Sequence, residues 1–528
     1  MSFVWWRDGV FYQIYPRSFM DSNGDGIGDL RGIESRLDHL AWLGVDAIWI
    51  SPCFRSPMAD FGYDVSDYCD VDPMFGTLAD FDALVKSAHA RAIKVMLDWV
   101  PNHSSEKHPW FLESRASRSS SKRDWYVWRD AKPDGSPPNG WKAIFGGSAW
   151  EWDEGSGQYY LHSFLKEQPE LEWRNPDLVK AMHASLRFWF DRGVDGFRID
   201  VVHRLAKDPD LRDDPEGGCP GCDAYGAARH LHAENHPDIH ALLRGVRGVF
   251  DEYPERAACG EVYLMNPAEV ARYYGKDDEL HLAFNFSFLH SPWSAERFAA
   301  EVERMEGYLR DHGWPTLVLS NHDVPRHASR YDDAALGDAR ARVAATMLLP
   351  LRGTPFLYYG EEIGMRNVPI PDDRLQDPLA FTLHKNLSRD PERTPMQWEA
   401  GPGAGFTTGD AWLPIGDAGA RSVAAQRRDP HSLLALYRDL IALRRAHPSL
   451  HAGSFRRLAA PDDVFAFERE HHGERAIVAL SFAGEPRAFG APDGAVAAGL
   501  STVPGRALPD RSGRVELGAS EGLVLVLS

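Results

Sequence analysis

Cysteine is scarce in this chain: five in 528 residues, at Cys53, Cys69, Cys219, Cys222 and Cys259. An odd, sparse set excludes a disulfide framework. Cys219 and Cys222 form a CxxC inside EGGCPGCDAYG. The second pair of a zinc site and the βαβ setting of a redox motif are both missing, so the pair reads as incidental and solvent-exposed. Excess positive charge is missing too. The net charge is −19, which excludes the basic footprint of a nucleic-acid binder and disfavours anionic membrane surfaces. No apolar run approaches the ~18–20 residues of a membrane span. The start, MSFVWWRDGV, lacks the basic stretch and apolar core of a signal peptide. These absences lead to the expectation of a cytoplasmic protein, a monomer or small homo-oligomer, whose partner is a small neutral molecule.

What is present is a recurrence of short apolar runs. They fall at 10–16, 47–52, 93–100, 196–202, 257–263, 284–288, 316–323 and 354–362, with amphipathic stretches such as LRGIESRLDHLAWLG (30–44) between them. Near-continuous apolar strands alternating with helices imply a parallel sheet covered by helices. Eight of them predict an α/β fold, a (β/α)8 TIM barrel. The alternation stops between Pro101 and about Trp173, in a stretch rich in Trp, Tyr, Gly, Ser and Pro. It is too long for a simple loop, so an inserted small domain over 102–173 after strand 3 is expected. The barrel would then comprise 1–101 and 174–450, with an irregular subdomain at about 365–430. Short β-like runs after that (DVFAFERE, RAIVALSF, EGLVLVLS) predict a C-terminal antiparallel β-domain over 451–528.

Polar residues gather at the C-terminal ends of the predicted strands: Asp98, Asn102 and His103; Asp200; Glu261; His322 and Asp323. In barrels that rim carries the active site. Arg198 and Asp200 are two apart in GFRIDVVHR, so on a strand they share a face. Two carboxyl groups are what cleavage of a glycosidic bond requires. Asp200 beside the cation Arg198 fits an ionised nucleophile, and Glu261 among apolar neighbours fits the acid, because desolvation raises a carboxyl's pKa. Asp323, His103 and His322 suit hydrogen bonds to the same sugar ring.

The chain resembles the α-amylase superfamily of glycoside hydrolases, family 13, and within it the α-glucosidase and oligo-1,6-glucosidase branch. The resemblance rests on DWVPNHSS (98–105), GFRIDVVHR (196–204), GEVY (260–263) and SNHDVPR (320–326), with QPELEW (168–173) and RTPMQW (393–398) in support. It implies that Asp200 is the nucleophile, Glu261 the acid/base and Asp323 the transition-state stabiliser. Arg198, His103 and His322 would line the subsite of the terminal glucose, and Asp60 and Tyr63 would bind and stack on it. Arg393 would pair with Asp60 and close the pocket, giving exo action.

The resemblance also implies a structural Ca²⁺ or Mg²⁺ in DSNGDGIGD (21–29), held by Asp21, Asn23, Asp25, the Ile27 carbonyl and Asp29. The loop is not an EF-hand, because its twelfth position is Gly32 rather than Glu. No catalytic cofactor is implied. Val201, after the nucleophile, leans toward tolerance of α-1,6 as well as α-1,4 linkages. The expected activity is a retaining exo-α-glucosidase with some transglucosylation. The alternative is a sucrose- or maltose-acting glucosyltransferase or isomerase, such as a trehalose synthase. A non-catalytic relative is the distant alternative, disfavoured because all three acids are kept.

Overall fold

A computed structural model of the chain describes residues 3–214, 232–310 and 312–528; Cys219 and Cys222 lie outside them. Eight parallel strands form the barrel: β1 Phe11–Ile14, β2 Ala47–Ile50, β3 Lys94–Trp99, β4 Gly196–Ile199, β5 Ala257–Gly260, β6 Leu282–Ala283, β7 Thr316–Val318 and β8 Thr354–Tyr358. The pairing order is β6-β5-β4-β3-β2-β1-β8-β7. Between β6 and β7 side chains make the seam. Thr316 Oγ1 donates to the Ala283 carbonyl at 2.7 Å, and the Tyr274 hydroxyl donates to Trp314 O at 2.9 Å. Strand packing is tight enough at β4 that a Cβ on Gly196 would lie 2.4 Å from the Ala257 carbonyl oxygen.

One strand falls elsewhere than its sequence suggests. The run FNFSF (284–288) is not β6; Phe286–Leu289 is a helical turn, and the strand is the two residues before the run. Asn285 is the reason. Its side chain accepts from Phe288 N at 3.3 Å, an N-cap that starts a helix where apolar content alone reads as strand.

Inside the barrel the period-2 alternation of strands separates two layers. The lower layer is apolar: Phe11, Trp49, Met96, Cys259 and Phe356 are buried together, with the Phe11 and Phe356 rings stacked at 4.4 Å. Two residues further along the same faces the side chains are polar: Gln13, Asp98 and Glu261. A second, larger core lies outside the barrel, under helices that include Leu78–His89, Pro176–Asp191 and Leu433–Ala446. These begin as sequence dictates: Thr77 and Asp80 make a capping box, and Asn175 caps a helix with Pro at its first position.

Between β3 and β4 the chain forms the helix Pro109–Ala116 and a three-stranded antiparallel sheet of Trp128–Arg129, Gln158–Leu161 and Trp150–Asp153. After the helix Leu433–Ala446 comes a five-stranded antiparallel sheet, with Val464–His471, Glu474–Ser481 and Gly522–Leu527 at its centre. No described helix is long and apolar enough to cross a membrane.

Candidate active site

Strand register places the first charged pair. Asp98 on β3 stands opposite Arg198 on β4, and Arg198 stands opposite Cys259 on β5. The guanidinium spans the gap. Nη1 donates to Asp98 Oδ1 and to Asp200 Oδ1, both at 2.7 Å, while Nη2 donates to Glu261 Oε2. All four groups are buried. Asp200 follows the last residue of β4 and Glu261 the last of β5. One guanidinium therefore holds both carboxyls, Nη1 on one and Nη2 on the other.

Val201 supplies the other hold on Glu261. Its φ of 34° and ψ of 44° put a β-branched residue in the left-handed region, a strained conformation. The turn directs the Val201 N–H to Glu261 Oε2 at 3.1 Å. Glu261 is thus anchored by two donors rather than isolated among apolar neighbours. Arg198 does not simply keep Asp200 ionised either. Burial pushes the Asp200 carboxyl well above the usual range, Glu261 and Asp98 add to that, and Arg198 opposes it without prevailing. The cation is shared among three carboxylates, which the spacing of GFRID cannot reveal. Asp98 itself is pushed up to about 7 by burial, against the pull of Arg198.

A second network closes the far wall. Arg389 binds Asp377 through Nε at 2.9 Å and Nη2 at 2.8 Å, Asp323 through Nη1 at 2.9 Å and Asp60 through Nη2 at 3.2 Å. Arg393 donates to the His322 carbonyl at 2.7 Å and to Asp323 Oδ1 at 2.8 Å. The expected Arg393–Asp60 pair is therefore corrected: Arg389, one 3₁₀ turn earlier, reaches Asp60, and Arg393 turns to the β7 loop. Burial would raise Asp323, but His322, Arg389 and Arg393 outweigh it and hold the carboxyl well below its usual range. Asp60 is pushed up to about 6 by burial, against Arg389.

The Tyr63 and His322 rings lie 3° from parallel, centroids 5.6 Å apart, and meet edge to edge. Gln13 Nε2 lies 2.8 Å from His322 Nδ1, His322 Nε2 lies 2.5 Å from the Tyr63 hydroxyl, and that hydroxyl donates to Asp98 Oδ2 at 3.2 Å. Gln13 can only donate through that nitrogen, so the chain assigns the His322 proton to Nε2. Burial lowers His322 to about 3, so the ring is neutral. His103 is likewise lowered to about 4 by burial, and Gln168 Nε2 lies 3.1 Å from both its Nε2 and Asp60 Oδ2. Behind His103, the Lys207 ammonium fills the space beside Asn102: it donates to Asn102 Oδ1 at 2.8 Å and to Glu170.

Asp98, Gln168 and Arg389 are the residues that sequence reasoning gave no role. Gln168 opens the QPELEW segment and Arg389 stands four residues before Arg393, so each lay next to a recognised signal.

In the 21–29 loop the oxygens face inward to the backbone. Asp21 accepts from Asn23 N, Gly24 N and Gly26 N at 2.9, 2.7 and 2.8 Å; Asn23 accepts from Asp25 N, and Asp25 from Ile27 N, each at 2.9 Å. Asp29 caps Gly32 N and accepts from Ser22. Hard oxygen donors suit Ca²⁺ or Mg²⁺. Among the described residues no three acidic, His or Cys side chains converge on one point, so a cation here would also need the Asn23 and backbone oxygens. A carboxylate or amide oxygen keeps a lone pair after one such hydrogen bond, so this donor set stays open to a cation.

Asp60, Tyr63, His103, Asp200, Glu261 and Asp323 all line one cavity of about 510 Å³ at the C-terminal rim. Arg198, His322 and Arg393 stand directly behind them, and the 21–29 loop is not part of it. A (β/α)8 barrel with paired carboxylates and neutral imidazoles in a rim pocket has the build of an enzyme that processes glycosidic bonds. The chain belongs to the alpha-amylase family, glycoside hydrolase family 13: residues 13–453 match the family's "Alpha amylase, catalytic domain". It is 46% identical over 494 residues to a probable alpha-glucosidase of Rhizobium meliloti (strain 1021), covering 91% of this chain and 90% of that protein. It is 39% identical over 529 residues to an oligo-1,6-glucosidase of Parageobacillus thermoglucosidasius, covering 93% of each. Among solved structures, that of an alpha-glucosyl transfer enzyme, XgtA, superposes with a TM-score of 0.93 at 40% identity, covering 100% of each chain.

Proposed function

We propose that the protein is a retaining, exo-acting α-glucosidase that releases α-glucose from the non-reducing ends of short α-glucosides of the maltose and isomaltose type. The observation that carries this reading is the single guanidinium of Arg198 bound to both Asp200 and Glu261. One guanidinium within hydrogen-bond reach of both carboxyls supports the close spacing of a retaining pair. Asp200 attacks the anomeric carbon while Glu261 gives its proton to the departing oxygen, and a β-glucosyl ester of Asp200 forms. Water then attacks the same carbon, Glu261 takes its proton, and the Asp200 carboxylate is released. Asp323 stays ionised through the cycle and stabilises the cationic ring. Asp60 and His103 bind the glucose hydroxyls, Tyr63 stacks on the ring, and His322 holds the Tyr63 hydroxyl from behind. The Asp60–Arg389–Asp377 network blocks the pocket behind the sugar, which supports exo action. Val201 flanks the leaving side and supports action on both α-1,4 and α-1,6 linkages.

The mechanism predicts that Asp200→Asn and Glu261→Gln each remove more than 99.9% of turnover on p-nitrophenyl α-glucoside, an effect on the order of 10³-fold or more. Normal rates in either variant refute the assignment. Similarity to a glucosyl transfer enzyme favours one second reading, in which a sugar hydroxyl replaces water. Product analysis on maltose, isomaltose, sucrose and trehalose separates the two: free glucose supports hydrolysis, and a rearranged disaccharide as main product supports transfer.

A structural cation at the 21–29 loop belongs to this proposal on its donor chemistry alone. Saturating Ca²⁺ should raise the melting midpoint and a chelator should lower it; an unmoved midpoint leaves the loop to its own hydrogen bonds. A cytoplasmic location is supported by the thiols: Cys53, Cys69 and Cys259 are all free.

A further inference from the structure

Asp60 and Tyr63 flank a turn that the backbone alone does not favour. Phe61 has a φ of 48° and Gly62 of 106°, and Met58 just before them has 66°. Phenylalanine and methionine in the left-handed region are strained, so the surroundings have to hold the turn. The buried Asp64 carboxylate supplies one hold. It accepts from Ala59 N at 2.9 Å, Asp60 N at 3.0 Å and Ser56 Oγ at 2.8 Å.

The other hold is a set of cations and rings behind the cavity. Two guanidiniums lie over the Phe61 ring, Arg17 at 5.0 Å and Arg393 at 5.7 Å from its centre. Arg17 also lies 5.1 Å from the centre of the Trp412 ring, and Arg393 lies 5.5 Å from that of Tyr15. Trp412 is anchored in turn: its backbone N–H donates to the Gly26 carbonyl at 3.1 Å and its Nε1 to Ser18 Oγ at 3.0 Å. Arg393 reaches Asp323 at 2.8 Å, so the Phe61 ring joins the Asp60 turn to the opposite wall.

Arg17 is the unusual member of the set. It is 8% exposed, yet its polar contacts are poor: Nη2 donates to Met74 Sδ at 3.1 Å, and the buried Nε has no hydrogen-bond partner. Burial lowers its pKa, and Tyr15 and Asp72 oppose that without prevailing. A methionine side chain would fill such a place without the cost of desolvating a charge. What the guanidinium gains there is two aromatic faces.

We propose that Arg17 and Trp412 are positioning residues of the terminal-glucose subsite, which set Asp60 and Tyr63 through the Phe61 ring without touching the sugar. The proposal rests on the α-glucosidase reading.

The test is a cycle of variants on p-nitrophenyl α-glucoside, with inhibition by glucose and the melting midpoint read alongside. Arg17→Met should lower kcat/KM about tenfold, the scale of two lost cation–π contacts, and raise the inhibition constant of glucose severalfold. Phe61→Leu should do the same. In the Phe61→Leu background, Arg17→Met should cost less than about twofold more, because one acts through the other. Should Arg17→Met not fold, Trp412→Leu, at a half-buried position, takes its place in the cycle with the same expected direction. A merely structural role moves the midpoint and leaves kcat/KM and the glucose constant at wild-type values well below it. That result, or losses that add in the double variant, overturns the proposal while wild-type turnover keeps the α-glucosidase reading standing. No p-nitrophenol from the wild-type enzyme overturns both.

Discussion

Asp60 sits 5% exposed between Arg389 and Gln168, its carboxyl pushed up to about 6 by burial. The folded protein therefore holds that proton more tightly than the unfolded chain does. Stability from this group is fully present below about pH 4 and is lost as pH rises through about 6, a cost on the order of 3 kcal/mol at neutral pH. Asp60→Asn should raise the melting midpoint by roughly 1–3 °C at pH 8 and by much less at pH 5. The same change should lower kcat/KM at least about 100-fold, through lost contact with the glucose. A lower midpoint at pH 8 contradicts this account of Asp60. The three acids and two histidines were legible in sequence, because each sits where a strand ends. Which arginine serves Asp60 was not: RDPERTP offers two, four residues apart, and only the turn between them decides.

At the scale of elements, the barrel's seam is its least regular part. β6 has two residues and β7 three, and no ladder joins them among the described residues. Thr316 and Tyr274 carry the seam instead, and a side-chain bond to a buried carbonyl is stabilising by about 1 kcal/mol, with more lost when the carbonyl is left bare. Thr316→Val should lower unfolding stability by about 1–2 kcal/mol in denaturant titration while kcat holds. An unchanged midpoint shifts the seam's support to Tyr274. Seven of the eight strand runs could be read from apolar continuity. The sixth could not, because Asn285 caps a helix inside an apolar run and no periodicity reports a cap.

Across the whole molecule, one alternation does two jobs. Inward-facing strand residues are apolar at the bottom of the barrel and charged at its top, so a dry plug of Phe, Trp and Met lies under a buried ionic network. That plug keeps the network in low dielectric, where the Asp200, Asp98 and Asp60 carboxyls are all raised. The insert and the 378–389 segment then form the outer walls, which is why the mouth combines aromatic, leucine and arginine side chains from distant parts of the chain. Composition announced two irregular regions over the barrel; it could not say that Leu383 of one packs on Gly146 of the other. The central claim is that Asp200 and Glu261 act as a yoked pair by double displacement. The most direct test is the anomer of glucose released in the first seconds from p-nitrophenyl α-glucoside, followed by proton NMR before mutarotation. Retention predicts α-glucose as the initial product; β-glucose appearing first contradicts the account.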